Sequence, residues 1–275
     1  MRIAVVGHVE HVTLGRVDAV PLAGDIAHLA EPRFLPGGGG GIAFAQLAKS
    51  DAELHLFTAI GEDDAGRRVR DRLARAAGRI HVHAALRAEP HPHVVVLVDA
   101  QGRRTIVVAS PPLQTRGDDP LPWDILQGCD AVYFTGSDAA TLRHARRAVR
   151  LVVTARRAHL LHEAGVCADV VVGSTADPRE NAPLASYEPQ PAALVLTDGP
   201  REIRVCRADG ESRVAAPPRA PTVVSDYGAG DSFAGAITYF IARGFRVEDA
   251  CAAAGPFGAA VVAGVDPMLN QRGLG

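Results

Sequence analysis

The sequence is almost without lysine: Lys49 is the only one, positive charge otherwise comes from arginine, and the formal net charge is −2. That balance offers no general attraction to nucleic acid or to an acidic lipid surface, which removes both as first readings. The cysteines Cys129, Cys167, Cys206 and Cys251 form no Cys-x-x-Cys pair and lie in mostly apolar surroundings, where cysteine acts as a small hydrophobe. They argue for a reducing compartment and against a disulfide framework. No apolar run is long enough to cross a bilayer, and the opening MRIAVVGH reads as a buried strand rather than a signal peptide, so a cytoplasmic chain with no membrane partner is expected. A Gly-x-x-x-x-Gly-Lys-Ser/Thr loop is missing, which excludes a P-loop mechanism. The first strand ends Val5-Val6-Gly7-His8-Val9-Glu10 without the glycine pattern that a dinucleotide pyrophosphate needs. There is no internal repeat.

What is present is a rhythm. Short apolar β-type runs alternate with Ala/Arg/Leu segments of helical spacing, the sequence form of a parallel sheet covered by helices. At 275 residues, one α/β domain over 1–275 with a small elaboration is expected. Core strands are predicted at Ile3–Val6, Leu54–Ala59, Ala131–Thr135, Leu151–Thr154, Val170–Val172 and Leu194–Thr197. Helices are predicted at Ile42–Lys49, Ala65–Ala77, Ala139–Val149, Ser232–Arg243 and Val247–Val262. Two regions break the rhythm. Val12–Phe34 lacks a helical period, and Ile80–Ala109 reads as successive strands with a turn at Asp99–Gly102; together they predict an antiparallel β lid from about 12–34 and 80–109. Asp209-Gly210 marks a further hairpin between Ile203–Arg207 and Arg213–Ala215.

The chemistry concentrates in Ser225-Asp226-Tyr227-Gly228-Ala229-Gly230-Asp231-Ser232, a tight small-residue turn running into a helix. Gly228, Ala229 and Gly230 leave backbone N–H groups uncovered where the helix dipole also favours an anion, so a phosphate is the expected guest. Asp231 sits in the first helical turn, placed to accept a proton from a substrate hydroxyl. The four residues alone equally suit an ordinary turn ending in an N-capping Asp. The glycine run Gly37–Gly41, bounded by Pro36 and an amphipathic segment, offers main-chain N–H groups to a ligand at close range; a flexible linker is the alternative.

This late stretch resembles the second signature of the phosphofructokinase-B/ribokinase family of carbohydrate kinases. Other pieces follow in that family's order: Pro21-Leu-Ala-Gly24-Asp25, the Gly37–Gly41 loop, Ile60-Gly61-Glu62-Asp63-Asp64-Ala65-Gly66, the hairpin Val98–Thr105, and Leu196-Thr197-Asp198-Gly199. The resemblance implies a ribokinase-like, doubly wound, mostly parallel sheet with helices on both faces and a small β lid. It implies Asp231 as catalytic base with Gly228, Ala229 and Gly230 as anion hole. It also implies ATP phosphates over Gly228, Gly230 and the loop Thr197, Asp198, Gly199. Gly258, on a smooth Ala/Gly helix, would flank the adenine or serve a close helix contact. The acceptor would lie on Gly37, Gly38 and Gly39, with its reacting hydroxyl facing Asp231.

The departures bear on substrate and metal. Glu10 and Val12 stand where the family usually has an Asn and an Asp for sugar hydroxyls, and Ile42 stands where it usually has an Asn; Glu10 can still bind hydroxyls. The family's Asn-x-x-Glu, which organises Mg²⁺, is replaced by Ser174-Thr-Ala-Asp177 with Glu180 beyond, leaving Asp177 or Glu180 as metal ligands. Ser225-Asp226 replaces the common Asp-Thr, which leaves a monovalent-cation site open. The expected activity is ATP-dependent phosphorylation of a hydroxyl on a small sugar or sugar-like alcohol. A nucleoside kinase on the same fold and a non-catalytic sugar or nucleotide sensor are the alternatives. Exposed lid strands would allow a homodimer through the lid. His81, His83, His91 and His93 form two His-x-His pairs; with no Cys or Asp pattern beside them they are read as lid-surface residues rather than zinc ligands.

Overall fold

Alternating apolar runs fold here as parallel strands because each is followed by a helical crossover that carries the chain back across the sheet. In the computed structural model, which describes residues 1–75 and 79–275, the strands in chain order are β1 (Arg2–Gly7), β2 (Glu10–Arg16), β3 (Ala30–Gly37), β4 (Glu53–Gly61), β5 (Ile80–Arg87), β6 (His93–Val98), β7 (Arg104–Val108), β8 (Ala131–Thr135), β9 (Arg150–Thr154), β10 (Val170–Ser174), β11 (Ala193–Thr197), β12 (Ile203–Arg207) and β13 (Gly210–Val214). The helices are α1 (Gly38–Leu47), α2 (Asp64–Ala74), α3 (Ala139–Ala145), α4 (His159–Ala164), α5 (Ala229–Ala242), α6 (Val247–Val261) and α7 (Pro267–Asn270).

The main sheet runs β13-β12-β11-β10-β9-β8-β1-β4-β5 and is parallel from β11 to β5, with the β12–β13 hairpin closing one edge antiparallel. One face packs on α1, α2, α5 and α6 through Phe44, Leu47, Val69, Phe233, Ile237 and Tyr239. The other packs on α3, α4 and the turn Trp123–Gly128 through Trp123, Leu142, Leu160 and Leu161. The expected doubly wound arrangement is therefore present. All six predicted core strands and three of the five helices lie within two residues of their expected starts; α5 begins three residues earlier than expected, and α1 four residues earlier, inside the glycine run. The last residues of the helix predicted over Ala65–Ala77, Ala76 and Ala77, lie outside the described residues, and α2 ends at Ala74.

The lid differs from its prediction in two ways. It is a four-stranded sheet, β3-β2-β6-β7, drawn from Glu10–Gly37 and His93–Val108, and its central pair β2–β6 is parallel, so the flap is mixed rather than antiparallel. Ile80–Arg87 does not belong to it. That strand lies parallel to β4 at the edge of the main sheet, matching Leu54 to Ile80 and Gly61 to Arg87. A β-type run shows that a strand forms; it does not show which sheet takes it, and α2 supplies the crossover that a parallel partner needs. His81 and His83 thus leave the lid, while His93 stays in it, its Nε2 3.0 Å from the Thr13 hydroxyl. Lid and core share a small apolar cluster of Val12, Leu14, Leu35, Val94, Val96 and Val98 with Ile42 and Tyr227.

Candidate active site

The C-terminal ends of the parallel strands face the lid, and every residue expected to act lies along that row, where open α/β sheets bind ligands. β1 ends at Gly7 beside Thr135 of β8. The chain then crosses His8 and Val9 into the lid and returns through β3 to α1, whose Gly40 N–H donates to His8 O at 3.2 Å.

Asp231 stands in the first turn of α5. Gly228 precedes the helix at φ +80°, a conformation L side chains avoid, and a Cβ there would come within 2.8 Å of Pro267. The turn is closed by Ala229 N–H to Asp226 O (3.3 Å) and Ser232 N–H to Gly228 O (2.9 Å). The N–H groups of Gly230 and Asp231 are left without a backbone partner among the described residues, the donor pair an anion needs. Asp231 Oδ1 lies 3.3 Å from where a Cβ on Gly39 would stand, so the glycine run and the carboxylate face each other across a gap that any larger residue would fill. Burial, followed by the negative charge of Glu180, pushes the Asp231 carboxyl up to about 6, while Arg104 and Arg156 pull it down.

On the acceptor side, Glu10 opens β2 and its side chain lies against Gly38. Burial first, and then the Asp231 charge, raises its carboxyl to about 7, so the two acids feel one another across one space. Sequence reasoning missed three neighbours. His8 Nε2 lies 3.6 Å from Glu10 Oε1, and burial with the Arg157 charge lowers the imidazole to about 4, so this is a neutral contact rather than an ion pair. The Thr135 hydroxyl lies 3.0 Å from the Cβ position of Gly39, and the Tyr227 hydroxyl 2.8 Å from that of Gly37. His8 and Thr135 sit at the ends of central strands, a signal the sequence carries once the strands are placed. Val12 and Ile42, at positions where the family usually has polar residues, are buried in the lid-base cluster with Tyr227 and form an apolar wall beneath the glycine run.

A cavity of about 270 Å³ opens on the other side of α5, lined by Thr197, Gly199, Ala229, Gly230 and Gly258 with Ile203, Val223, Phe233 and Val262. Its floor is the small-residue turn and its walls are largely apolar, as a purine base with a phosphate tail would require. Gly258 lines the cavity, and a Cβ there would stand 3.1 Å from Ala229 O, a close helix contact. Asp198 departs from its expected role. Its carboxylate takes Arg201 Nε at 2.6 Å and the Thr175 hydroxyl, which hold it at about 2, and it braces the loop instead of lining the cavity.

The metal expectation meets an obstacle. Asp177 and Glu180 carry the hard oxygen donors magnesium prefers, yet Arg156, just beyond β9, binds both, and Arg179 also clasps Asp177 at 3.1 Å. The Arg179 hydrogen bonds, with the Arg156 charge, hold Asp177 down at about 2. The pair is already neutralised by guanidinium and in this arrangement does not fit a cation. Before the anion hole, Ser225 Oγ accepts from Tyr227 N–H at 3.1 Å and Asp226 is ion-paired with Arg104 of the lid, so both positions open to a monovalent cation are engaged.

A sequence model described as pfkB family carbohydrate kinase matches residues 162–270, the portion that holds Asp177, Thr197, the anion hole and Asp231. No curated protein matches the chain significantly. Solved structures match it over nearly its full length. The ribokinase of Thermotoga maritima is 16% identical with a TM-score of 0.80, covering 99% of this chain and 96% of that one. The Arabidopsis thaliana ribokinase, complexed with ribose and ATP, is 17% identical with a TM-score of 0.74 over 98% and 95% of the two chains. The nucleoside kinase of Methanocaldococcus jannaschii is 13% identical with a TM-score of 0.69 over 99% and 95%. The chain therefore has a ribokinase-like fold over its whole length and, over residues 162–270, a sequence match to the pfkB family of carbohydrate kinases.

Proposed function

We propose that the chain transfers the terminal phosphoryl group of ATP to a hydroxyl of a small sugar or sugar-like alcohol, with Asp231 as the base. The observation that carries this reading is the position of Asp231. It carries one of the two bare N–H donors at the start of α5, lies between the apolar cavity and the glycine run, and has a carboxyl raised to about 6.

In this reading the nucleotide lies in the cavity with its phosphates over Ala229 and Gly230. The acceptor lies on Gly37, Gly38 and Gly39 with Glu10 and Thr135 as hydroxyl partners. Asp231 orients the acceptor hydroxyl and takes its proton as the new O–P bond forms and the bond to the ADP oxygen breaks. Phosphoryl transfer proceeds through a loose transition state whose charge sits on the phosphoryl oxygens, so positioned positive charge matters more than early deprotonation. The anion hole supplies part of that charge. Arg104 and Arg156, both close enough to depress the Asp231 carboxyl, supply the rest; since Asp177 and Glu180 are held by Arg156, no step is assigned here to a metal on those carboxylates. Lid closure keeps water from competing with the acceptor.

The apolar wall of Val12, Ile42 and Tyr227 favours an acceptor with one less polar face, which keeps nucleosides beside sugars as substrates. The test is a coupled ADP-release assay with ATP and magnesium against sugars, sugar acids and nucleosides, run beside Asp231→Asn. Acceptor-dependent turnover, reduced by about two to four orders of magnitude in the variant with nucleotide affinity little changed, supports the kinase and names its substrate class. Tight ligand binding without turnover on any acceptor would replace it with the sensor reading.

A further inference from the structure

At the opposite ends of the parallel strands, away from the phosphoryl-transfer site, β4 and β5 bring together a second group of chemically active side chains. The parallel register sets His55 beside His81 and Phe57 beside His83, and the two-residue period puts Glu53, His55, His81 and His83 on one face. His55 Nε2 lies 3.2 Å from Glu53 Oε1, and His81 Nε2 lies 3.9 Å from the same oxygen. One ligand atom from each of the three falls within 4.8 Å of the others. Donors around a tetrahedral zinc, each about 2.0–2.1 Å from the ion, stand roughly 3.3 Å apart, so the three need only small rotations to share one.

We propose that Glu53, His55 and His81 form a structural site for a borderline divalent metal such as Zn²⁺, clipping edge strand β5 to β4. The surroundings suit this role. His55 is buried, and its Nδ1 lies 3.0 Å from His83 Nε2; with Nε2 on the metal, the Nδ1–H donates to His83, the outer hydrogen bond that fixes a ligating imidazole. Arg2 Nε donates to the same Glu53 Oε1 at 3.2 Å and Arg79 lies 3.9 Å from Oε2; unlike Asp177 and Glu180, this carboxylate has two imidazoles beside it to share the ion, and the cost of turning Oε1 away from Arg2 keeps the affinity moderate. His81, with a side chain 49% exposed, provides the entrance and room for a fourth ligand from water. Two imidazoles and one carboxylate select a borderline metal over magnesium, which wants oxygen alone. Among the described residues β5 pairs with β4 on one side and has no second partner in the sheet, so a clip here secures a single-sided edge.

The experiment is calorimetric titration of metal-stripped protein with Zn²⁺ in excess Mg²⁺, with Co²⁺ absorption as an independent view of the ligands. The expected result is one Zn²⁺ per chain with micromolar affinity and a melting temperature raised by several degrees. His81→Ala, at a half-exposed position, and Glu53→Gln, which keeps the size of the side chain, should each weaken binding by about tenfold or more while the metal-free melting temperature holds. His159→Ala and His162→Ala, exposed on α4, should leave binding unchanged. Absence of binding at 100-fold excess over a micromolar Kd, binding that survives His81→Ala, or equal competition by Mg²⁺ would each overturn the proposal. Because the readouts are affinity and melting rather than phosphoryl transfer, the result is independent of the kinase reading.

Discussion

Asp231 and Glu10 are two carboxyls in one pocket, both raised by burial, and their proton uptake should set the pH behaviour of the enzyme. A base that loses its proton near pH 6 gives a kcat that climbs through that value and levels above it, which a rate profile between pH 5 and 8 would display. The same shift has a stability side. The native state holds the Asp231 proton to about pH 6 while the unfolded chain releases it near pH 4, so the unfolded state binds fewer protons in that window and stability falls as pH rises through it. Asp231→Asn removes the ionisation: the ligand-free variant should melt higher than the parent at pH 8, and the difference should vanish at pH 4. Glu10→Gln should act on binding, raising the acceptor KM by about ten- to a hundredfold with a smaller change in kcat, because in the proposed reaction the residue would meet the acceptor and not the migrating phosphoryl group. Arg156→Ala should lower kcat and release Asp177 and Glu180 together; a greater dependence of rate on free Mg²⁺ in that variant would show that the guanidinium occupies the metal's place.

Between elements, the lid is tied to the anion-hole loop at two points. Arg104 of β7 pairs with Asp226, and the turn at Gly102 lies close enough that a Cβ there would come within 2.8 Å of Val224 O. Arg104→Ala should loosen that closure and raise acceptor-independent ATP hydrolysis several-fold relative to transfer, measured as ADP released without acceptor over ADP released with it. The sequence showed the hairpin at Asp99–Gly102 and the nucleophile-side turn at Gly228–Asp231 because each depends on local chemistry: glycine at a positive φ, and an Asp at a helix start. It did not show where β5 belongs, because strand membership is decided by which neighbour completes the ladder, and Ile80–Arg87 alternates equally well in either sheet. Nor did it show Arg156 on Asp177 and Glu180, separated in sequence by 21 and 24 positions; an ion pair of that kind exists only after β9 and β10 lie side by side. The Glu53–His55–His81 group escaped for the same reason, with two members on β4 and the third on β5.

Over the whole molecule, two apolar clusters flank the main sheet and a third joins the lid to Ile42 and Tyr227. Leu14 is fully buried in that third cluster, so Leu14→Ala should cost about 2–5 kcal/mol in denaturant unfolding and also raise the acceptor KM, since the lid's packing and the acceptor wall are one surface. The family model covers residues 162–270, while residues 1–161 carry Glu10, Val12 and Ile42 in place of the family's usual polar set. The two halves also differ in access. The cavity beside Gly258 opens past the edge of α5 and α6, whereas Gly37–Gly39 lie beneath the strands of the lid. In the proposed reaction an acceptor on those glycines would arrive with the lid raised, and its phosphorylated form would leave only when the lid rises again. Binding would then be sequential in time, acceptor ahead of nucleotide, with the nucleotide product departing first.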